Sequence, residues 1–424
     1  MDHDWPDVIF RNHVDLLAGF AFKSKDFTDD PNDIPLVKGA DVQQGYIAWS
    51  SCRHWPNSDI SKLEKFWLKE GDVILAMDRP WVPSGLKWTW IKKGDPKSLL
   101  VQRVARLRGT NGLCTNYLRY LVGSPQFTDY IRPIVTGVNV PHISGDQILN
   151  FRFRLPPLPT QRKIAAVLSA YDDLIENNLR RIQILEEMAQ NLYREWFVKF
   201  RFPGHETARF VDSSLGPIPE GWEVKTIEDT FEILGGGTPS KVVNEYWDDG
   251  TINWYSPTDL TASKSMFMEI SKNQITEIGL KKSSAKMFPP FSVMMTSRAT
   301  LGVISINTTE ACTNQGFITC IPNERFPLYT LFYWLKENVE YFISLGTGAT
   351  FKEITKGVFK SIELVVPAKS MVSQLENVVQ PIALEILNLQ RKNTTLRRTR
   401  GLLLPRLVSG EVDVSALEIE VTEG

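Results

Sequence analysis

Cysteine is scarce. The 424 residues hold four thiols (Cys52, Cys114, Cys312, Cys320), at spacings that match neither a zinc site nor a disulfide framework. Reduced, unpaired thiols and no structural metal are expected. An excess of charge of one sign is also lacking, since 48 Lys and Arg face 49 Asp and Glu, so any surface for a nucleic acid must be local. No apolar run approaches the ~18–20 residues that cross a bilayer. The start, Met1-Asp2-His3-Asp4-Trp5, has neither the basic nor the apolar region of a signal peptide, which predicts a cytoplasmic protein. The five histidines are dispersed, and no nucleophile, general base or carboxylate cluster stands out as catalytic. What is present is 42% hydrophobic residues, enough for a sizeable core, in a chain long enough for two to four domains.

An internal repeat organises the chain. At an offset of 211, Thr136-Gly137-Val138 returns as Thr347-Gly348-Ala349, Tyr130 as Tyr341, Ile143 as Ile354, Pro156 as Pro367, Leu185 as Leu396 and Leu192 as Leu403. Upstream the offset is 217, placing Trp5 on Trp222, Leu17 on Leu234 and Gly19 on Gly236. Two copies of one module therefore fill the chain, and their fronts differ far more than their backs.

The back of copy one, from Thr160 to about Phe197, contains no Gly or Pro, and Thr160 is placed to cap it. Its apolar residues recur in steps of four and three: Ile164, Leu168, Tyr171, Ile175, Ile182, Leu185, Ala189, Leu192, Trp196. Asn178 is the polar member of this heptad seam. Copy two repeats the seam in phase as Leu375, Val379, Ile382, Ile386, Leu389, Asn393, Leu396, Arg400, Leu403, Leu407. Pro381 is expected to kink or delay that helix, and Ser409-Gly410 to end it. The two helices are expected to pack on each other. In an antiparallel pair, Ile175, Ile182, Leu185, Leu389 and Leu396 lie at the contact.

The fronts carry short β-type runs, such as Gly71-Asp72-Val73-Ile74-Leu75 and Phe291-Ser292-Val293-Met294-Met295, between turn signals. Each front also holds a helical stretch, 116–131 and 327–343. The fold class is therefore α+β, with fronts at 1–155 and 206–366, a central helix within 156–205, and a second helix and tail over 367–424. Phe288-Pro289-Pro290-Phe291 resembles the Asn-Pro-Pro-aromatic motif of amino-methyltransferases but lacks the asparagine that binds the base. Gly235-Gly236-Gly237-Thr238-Pro239 lacks the Lys-Ser/Thr ending of a phosphate loop and reads as a tight turn after a strand.

Binding features are better represented than catalytic ones. Copy one interleaves Trp49, Trp55, Trp67, Trp81, Trp88 and Trp90 with Arg79, Lys87, Lys92, Lys93 and Lys97, a mixture suited to bases and phosphates. The net charge of 1–155 is only slightly positive, at 20 basic against 17 acidic residues, and much of the tryptophan is expected in the core. Copy two offers Lys281, Lys282 and Arg298. Arg79 and Arg298 both follow a β-run in equivalent parts of the repeats. The repeated loops add Thr136, Asn139, Thr347 and Lys352 as candidate DNA contacts.

The arrangement resembles the specificity subunit of type I restriction-modification systems. The resemblance rests on Leu155-Pro156-Pro157-Leu158-Pro159-Thr160-Gln161-Arg162-Lys163-Ile164, Ala189-Gln190-Asn191-Leu192-Tyr193-Arg194-Glu195-Trp196-Phe197, Pro217-Ile218-Pro219-Glu220-Gly221-Trp222, Gly236-Gly237-Thr238-Pro239-Ser240 and Leu404-Pro405-Arg406-Leu407-Val408-Ser409-Gly410-Glu411. It spans nearly the whole chain, although copy one keeps only Trp5 of the Ile-Pro-Glu-Gly-Trp lead. It implies two target recognition domains, each reading half of a split, asymmetric DNA site, related by a pseudo-two-fold and held apart by two long antiparallel coiled-coil helices. It further implies docking of two adenine methyltransferase subunits and motor-nuclease subunits. S-adenosylmethionine, ATP and magnesium would then be held by those partners and no cofactor by this chain. A recognition protein with its own nuclease or methyltransferase activity is the alternative, and the missing cofactor and metal motifs argue against it. A scaffold that binds only protein leaves the divergence of the fronts unexplained.

Overall fold

The computed structural model describes residues 5–57, 60–135, 141–348 and 352–419. The chain divides into two units, Met1–Glu176 with Thr394–Gly424, and Asn177–Asn393. Each unit contains one front and a portion of both long helices, Leu158–Tyr193 and Lys369–Val408. The first helix ends in a π turn, Arg194–Val198.

In the first unit an antiparallel sheet runs in the order Val14–Ala18, Val104–Gly109, Val73–Ala76, Trp88–Trp90. A smaller sheet pairs Ile34–Val37 antiparallel with Arg53–Trp55 and parallel with Leu99–Leu100. Asp7–Ile9 pairs with Arg152–Arg154, which brings the two ends of the front together. The second unit repeats this plan. Glu232–Gly235, Phe317–Ile321, Val293–Thr296 and Ile304–Asn307 form the large sheet, extended by Phe267–Met268. Ile252–Tyr255 pairs antiparallel with Asn273–Ile275 and parallel with Ala311–Thr313, and Glu223–Thr226 pairs with Glu363–Val366. The fronts have diverged in sequence while keeping their topology.

Both central strands, Val73–Ala76 and Val293–Thr296, are buried on both faces, which is why they read as apolar runs rather than alternating ones, broken only by Thr296, whose Oγ1 accepts the Val303 N–H at 2.9 Å. The expected single helical stretches are each two short helices, Thr115–Val122 with Pro125–Ile131, and Leu328–Glu337 with Val339–Leu345. Ser124 makes the first break by capping the second helix, its Oγ accepting the Phe127 N–H at 3.2 Å.

The seam is as the heptads describe it. In the first unit Ile164 and Leu168 share a core with Leu404 and Leu407, and Asp172 meets Arg400 at 2.8 Å. In the second unit Ile182 and Ala189 share a core with Val379, Ile386 and Leu389. There Asn178 Nδ2 donates to Asn393 Oδ1 at 2.9 Å, and Arg181 pairs with Glu385 at 2.8 Å. Rising numbers on one helix meet falling numbers on the other, so the helices are antiparallel within each unit. Ile175, Leu185 and Leu396 are partly buried, and Leu185, Leu192 and Trp196 pack on the edge of the second unit's core. Leu403 does the same in the first unit.

Two local expectations are corrected. Thr160 is not the cap: the helix already begins at Leu158, because Pro159 in a first turn has no N–H to leave unpaired, and the Gln161 N–H reaches Pro157 O at 3.0 Å. Pro381 does not delay the second helix, which starts at Lys369 and runs through it. Pro381 is exposed, so water can serve the carbonyl that loses its hydrogen bond.

The buried Asn178–Asn393 pair supports a stability test. Asn178→Leu removes the hydrogen bond to Asn393 Oδ1 across the seam and is expected to cost about 1–3 kcal/mol. Replacing both by leucine should recover most of that loss, since two matched apolar side chains need no hydrogen bond. Urea titration of the two variants measures the difference.

Candidate nucleic-acid interface

In each unit three loops are tied together by the same backbone hydrogen bonds. The first follows the central strand (77–80 and 297–300). The second precedes the strand that pairs beside it, Val104–Gly109 or Phe317–Ile321 (101–103 and 314–316). The third follows the short-helix pair (141–143 and 352–354). In the first unit Met77 N donates to Arg103 O at 2.9 Å, Ile143 N to Met77 O at 2.8 Å and Arg79 N to Pro141 O at 2.7 Å. In the second unit Ser297 N donates to Gly316 O at 2.8 Å, Ile354 N to Ser297 O at 3.0 Å and Ala299 N to Lys352 O at 3.1 Å. Arg79 and Ala299 both have positive φ, 44° and 64°, so the loop leaves the strand through one left-handed residue in each copy. A rigid sheet thus presents three mutually fixed loops, an arrangement suited to recognition.

The glycine run 235–237 belongs to this framework. A side chain at Gly236 would collide with the backbone of Thr313 and Asn314, and Gly237 O accepts from Trp254 Nε1 at 2.9 Å. The run is a close backbone approach, not a phosphate cradle. Phe288 is buried and Pro289 O accepts from Ser292 Oγ at 2.8 Å, so Phe288–Phe291 is a turn before the strand.

The side chains on the two frameworks differ. In the first unit Asp78 holds His142 Nδ1 and Arg103 Nη1, each at 2.6 Å. Arg79 is exposed, and Arg132 lies 5.7 Å from the centre of the half-buried Trp81 ring. In the second unit the position of Asp78 is taken by Arg298, 3.6 Å from Glu353, which stands at the position of His142. The acidic member of the pair changes place between the copies, Asp78 on the first loop of one and Glu353 on the third loop of the other. Gln102 and Gln315 occupy equivalent positions, and Gln315 Oε1 accepts from Thr238 Oγ1 at 2.6 Å.

The framework gathers Arg79 and Trp81 in one unit, and Arg298, Thr347 and Lys352 in the other. Thr347 is joined through its backbone pairing with Glu353. Thr136 and Asn139 lie outside the described residues. Arg79 and Arg298 both lie in the loop after the central strand, as expected, one residue apart in register, since Arg79 corresponds to Ala299. Lys87 is not a surface contact. It is buried, its ammonium donates to Gly39 O, and burial lowers its pKa. Lys92 is spent on Glu176 of the first long helix at 3.0 Å and lies 5.4 Å from the Trp90 ring, so it braces the front against the helix. Lys93 is exposed, as are Lys281 and Lys282 around the end of the helix Glu277–Lys281, and none of them belongs to the loops.

Sequence reasoning missed Gln102, Arg103, His142, Asn314 and Gln315. The Gln102–Gln315 match sits at an offset of 213, between the two offsets that define the repeat, and would have been the signal. Among the described residues no group of three or more His, Cys, Asp or Glu could hold a metal ion, and no helix is long and apolar enough to cross a membrane. The loops offer cationic, amide and aromatic groups, which bind and read rather than react.

The family profile described as "Type I restriction modification DNA specificity domain" matches residues 14–187 and again 219–394. The chain is 27% identical over 315 residues to the type I restriction enzyme MjaIX specificity subunit of Methanocaldococcus jannaschii, covering 72% of this chain and 71% of that one. It is 23% identical to the type I restriction enzyme HindI specificity subunit of Haemophilus influenzae, over 91% of this chain and 96% of the relative. Among solved structures, the S subunit of a type I restriction-modification system from M. genitalium superposes with a TM-score of 0.58, at 13% identity and 98% coverage of both chains.

Proposed function

The chain belongs to the type I restriction-modification DNA specificity family, and from that membership we propose that it is the sequence-recognition subunit of such a complex. One observation carries the reading. The same three-loop framework is built twice, and the groups it displays differ. Two readers of common origin with different side chains suit a bipartite site whose halves differ, in the manner of repeated DNA-binding modules on paired half-sites. A near-neutral chain fits as well, because partners can supply much of the charge that clamps the phosphates.

The partners we assign are two adenine methyltransferase subunits and the restriction motor subunits, with S-adenosylmethionine, ATP and magnesium on those partners. The long helices give this support. Ile184 and Met188 are about half exposed, in a helix whose seam face is already covered, and uncovered apolar side chains of this size suit a protein contact. We place the protein in the cytoplasm, where its DNA is.

The role is tested by activity with and without partners. Purified alone, the chain is expected to transfer no methyl group from S-adenosylmethionine to DNA above a mock preparation. Co-expressed with its methyltransferase subunit, it should yield one bipartite methylated motif in single-molecule sequencing of the host DNA. Methyl transfer by the isolated chain would sink the reading.

A further inference from the structure

We propose that Arg298 reads a guanine in the half-site of the second unit, with Glu353 as its positioning residue. The proposal rests on the DNA-reading role given above and goes beyond it by naming the residue and the base. Arg298 lines a cleft of about 230 Å³ with Pro257, Ala299, Asn314, Gln315 and Gly316. Its side chain is 52% exposed, and its Nε edge faces Glu353 Oε2 at 3.6 Å. The two terminal nitrogens are thereby left to form a fork. The backbone beneath is fixed on both sides by the bonds from Ser297 to Gly316 and from Ile354 to Ser297.

The neighbouring groups add donors. Asn314 Oδ1 is engaged by the Gly316 N–H at 2.8 Å, so its amide contributes its NH2. A backbone N–H can only donate, which fixes the orientation of that amide. A guanidinium fork beside an amide NH2 complements an edge that carries two acceptors. In the major groove guanine presents N7 and O6 in that way, whereas adenine pairs an acceptor with a donor and cytosine offers a donor. The first unit has no arginine at this position, where the equivalent residue is Asp78, 17% exposed and held by both His142 and Arg103. The guanine contact therefore belongs to one half-site only.

The test uses the intact complex with its methyltransferase subunits, after its methylated motif has been mapped. Duplexes carry 7-deazaguanine in place of each guanine of the site in turn. Removing N7 is expected to weaken binding of the unaltered complex about tenfold at one guanine in the second unit's half-site, the loss of one arm of a bidentate contact. Arg298→Ala should relax the mapped motif at that same base and leave the other half-site unchanged, with Arg298→Lys intermediate. Glu353→Ala should weaken discrimination at that base, and Glu353→Asp should restore part of it, which a merely structural role would not do. Neutral 7-deazaguanine at every position, or relaxation at a base other than guanine, overturns the proposal and leaves the recognition role intact. The absence of any bipartite motif for the unaltered complex overturns the recognition role itself. Because the 7-deazaguanine measurement needs no variant, it decides the guanine contact even where the Arg298→Ala chain misfolds.

Discussion

Replacing residues 1–155 with the front of another family member is expected to change one half of the methylated site completely and the other half not at all. The expectation follows from the chain's division. Each unit owns its sheet, its three loops and its core, and the loops of the second unit make all their framework bonds with residues between Asn177 and Asn393. Methylation mapping of the hybrid complex decides it. If both halves of the motif change, the units do not read independently.

The structure also says when such an exchange will fail. The front does not fold against its own helix alone, for Leu404, Leu407 and Val408 from the far end of the second helix share its core with Tyr117, Leu121 and Phe127. Beside that core lies a polar network. Arg119 Nη2 donates to Tyr120 Oη at 2.7 Å, and Tyr120 Oη to Asp172 at 2.9 Å, with Arg400 on the other oxygen of that carboxylate at 2.8 Å. A grafted front without a polar partner at position 120 leaves Asp172 and Arg400 against an apolar surface. Exchanges that carry a tyrosine there should fold, and those that do not should need changes at 172 and 400.

The long helices were legible because their signal is local and redundant. Every one of the nine apolar positions from Ile164 to Trp196 is buried or half-buried, and the two asparagines of the seams, Asn178 and Asn393, meet each other. Arg400, the other polar member of the second seam, is the partner of Asp172, a pairing that no single-helix pattern could show. The reading surface was harder to see. Charge patterns in sequence do not say which cation is exposed, so Lys87, buried on a backbone carbonyl, stood beside Arg79 as an equal. The residues missed come from the second and third loops, Arg103 and His142 in the first unit and Asn314 in the second, which only each unit's own sheet fixes beside the first loop. One element of the fronts was visible for a physical reason, the central strand, whose burial on both faces favours an apolar run.

The repeat makes the network around Asp172 a controlled experiment, because the second unit performs the same packing without it. At the offset of 211, Tyr120, Asp172 and Arg400 correspond to Leu331, Ala383 and Ala189, all three fully buried in an apolar core. Arg400→Ala should leave a buried carboxylate without its cation and cost about 3–5 kcal/mol. A loss of that size lowers the melting temperature by about 10 °C in a unit of this length. Tyr120→Leu, Asp172→Ala and Arg400→Ala together should return most of it, since replacing a whole buried ionic group by apolar side chains is close to neutral where removing one member is not. Acidity separates the charge effect from simple loss of packing. Burial raises the pKa of Asp172, while Arg400 and the Tyr120 hydroxyl oppose the rise. A carboxyl whose folded-state pKa lies above its unfolded value binds its proton more tightly when folded. Its cost to stability is therefore greatest above the folded pKa and disappears as the pH falls below the unfolded one. Without Arg400 the folded pKa climbs further, so the Arg400→Ala deficit should be largest near neutral pH and shrink as the solution is acidified toward pH 5. Urea titrations at pH 7 and pH 5 measure it. A deficit that stays constant or grows on acidification would mean that Arg400 acts through packing, and a triple variant as unstable as the single one would mean that the two copies do not share a packing solution at this position.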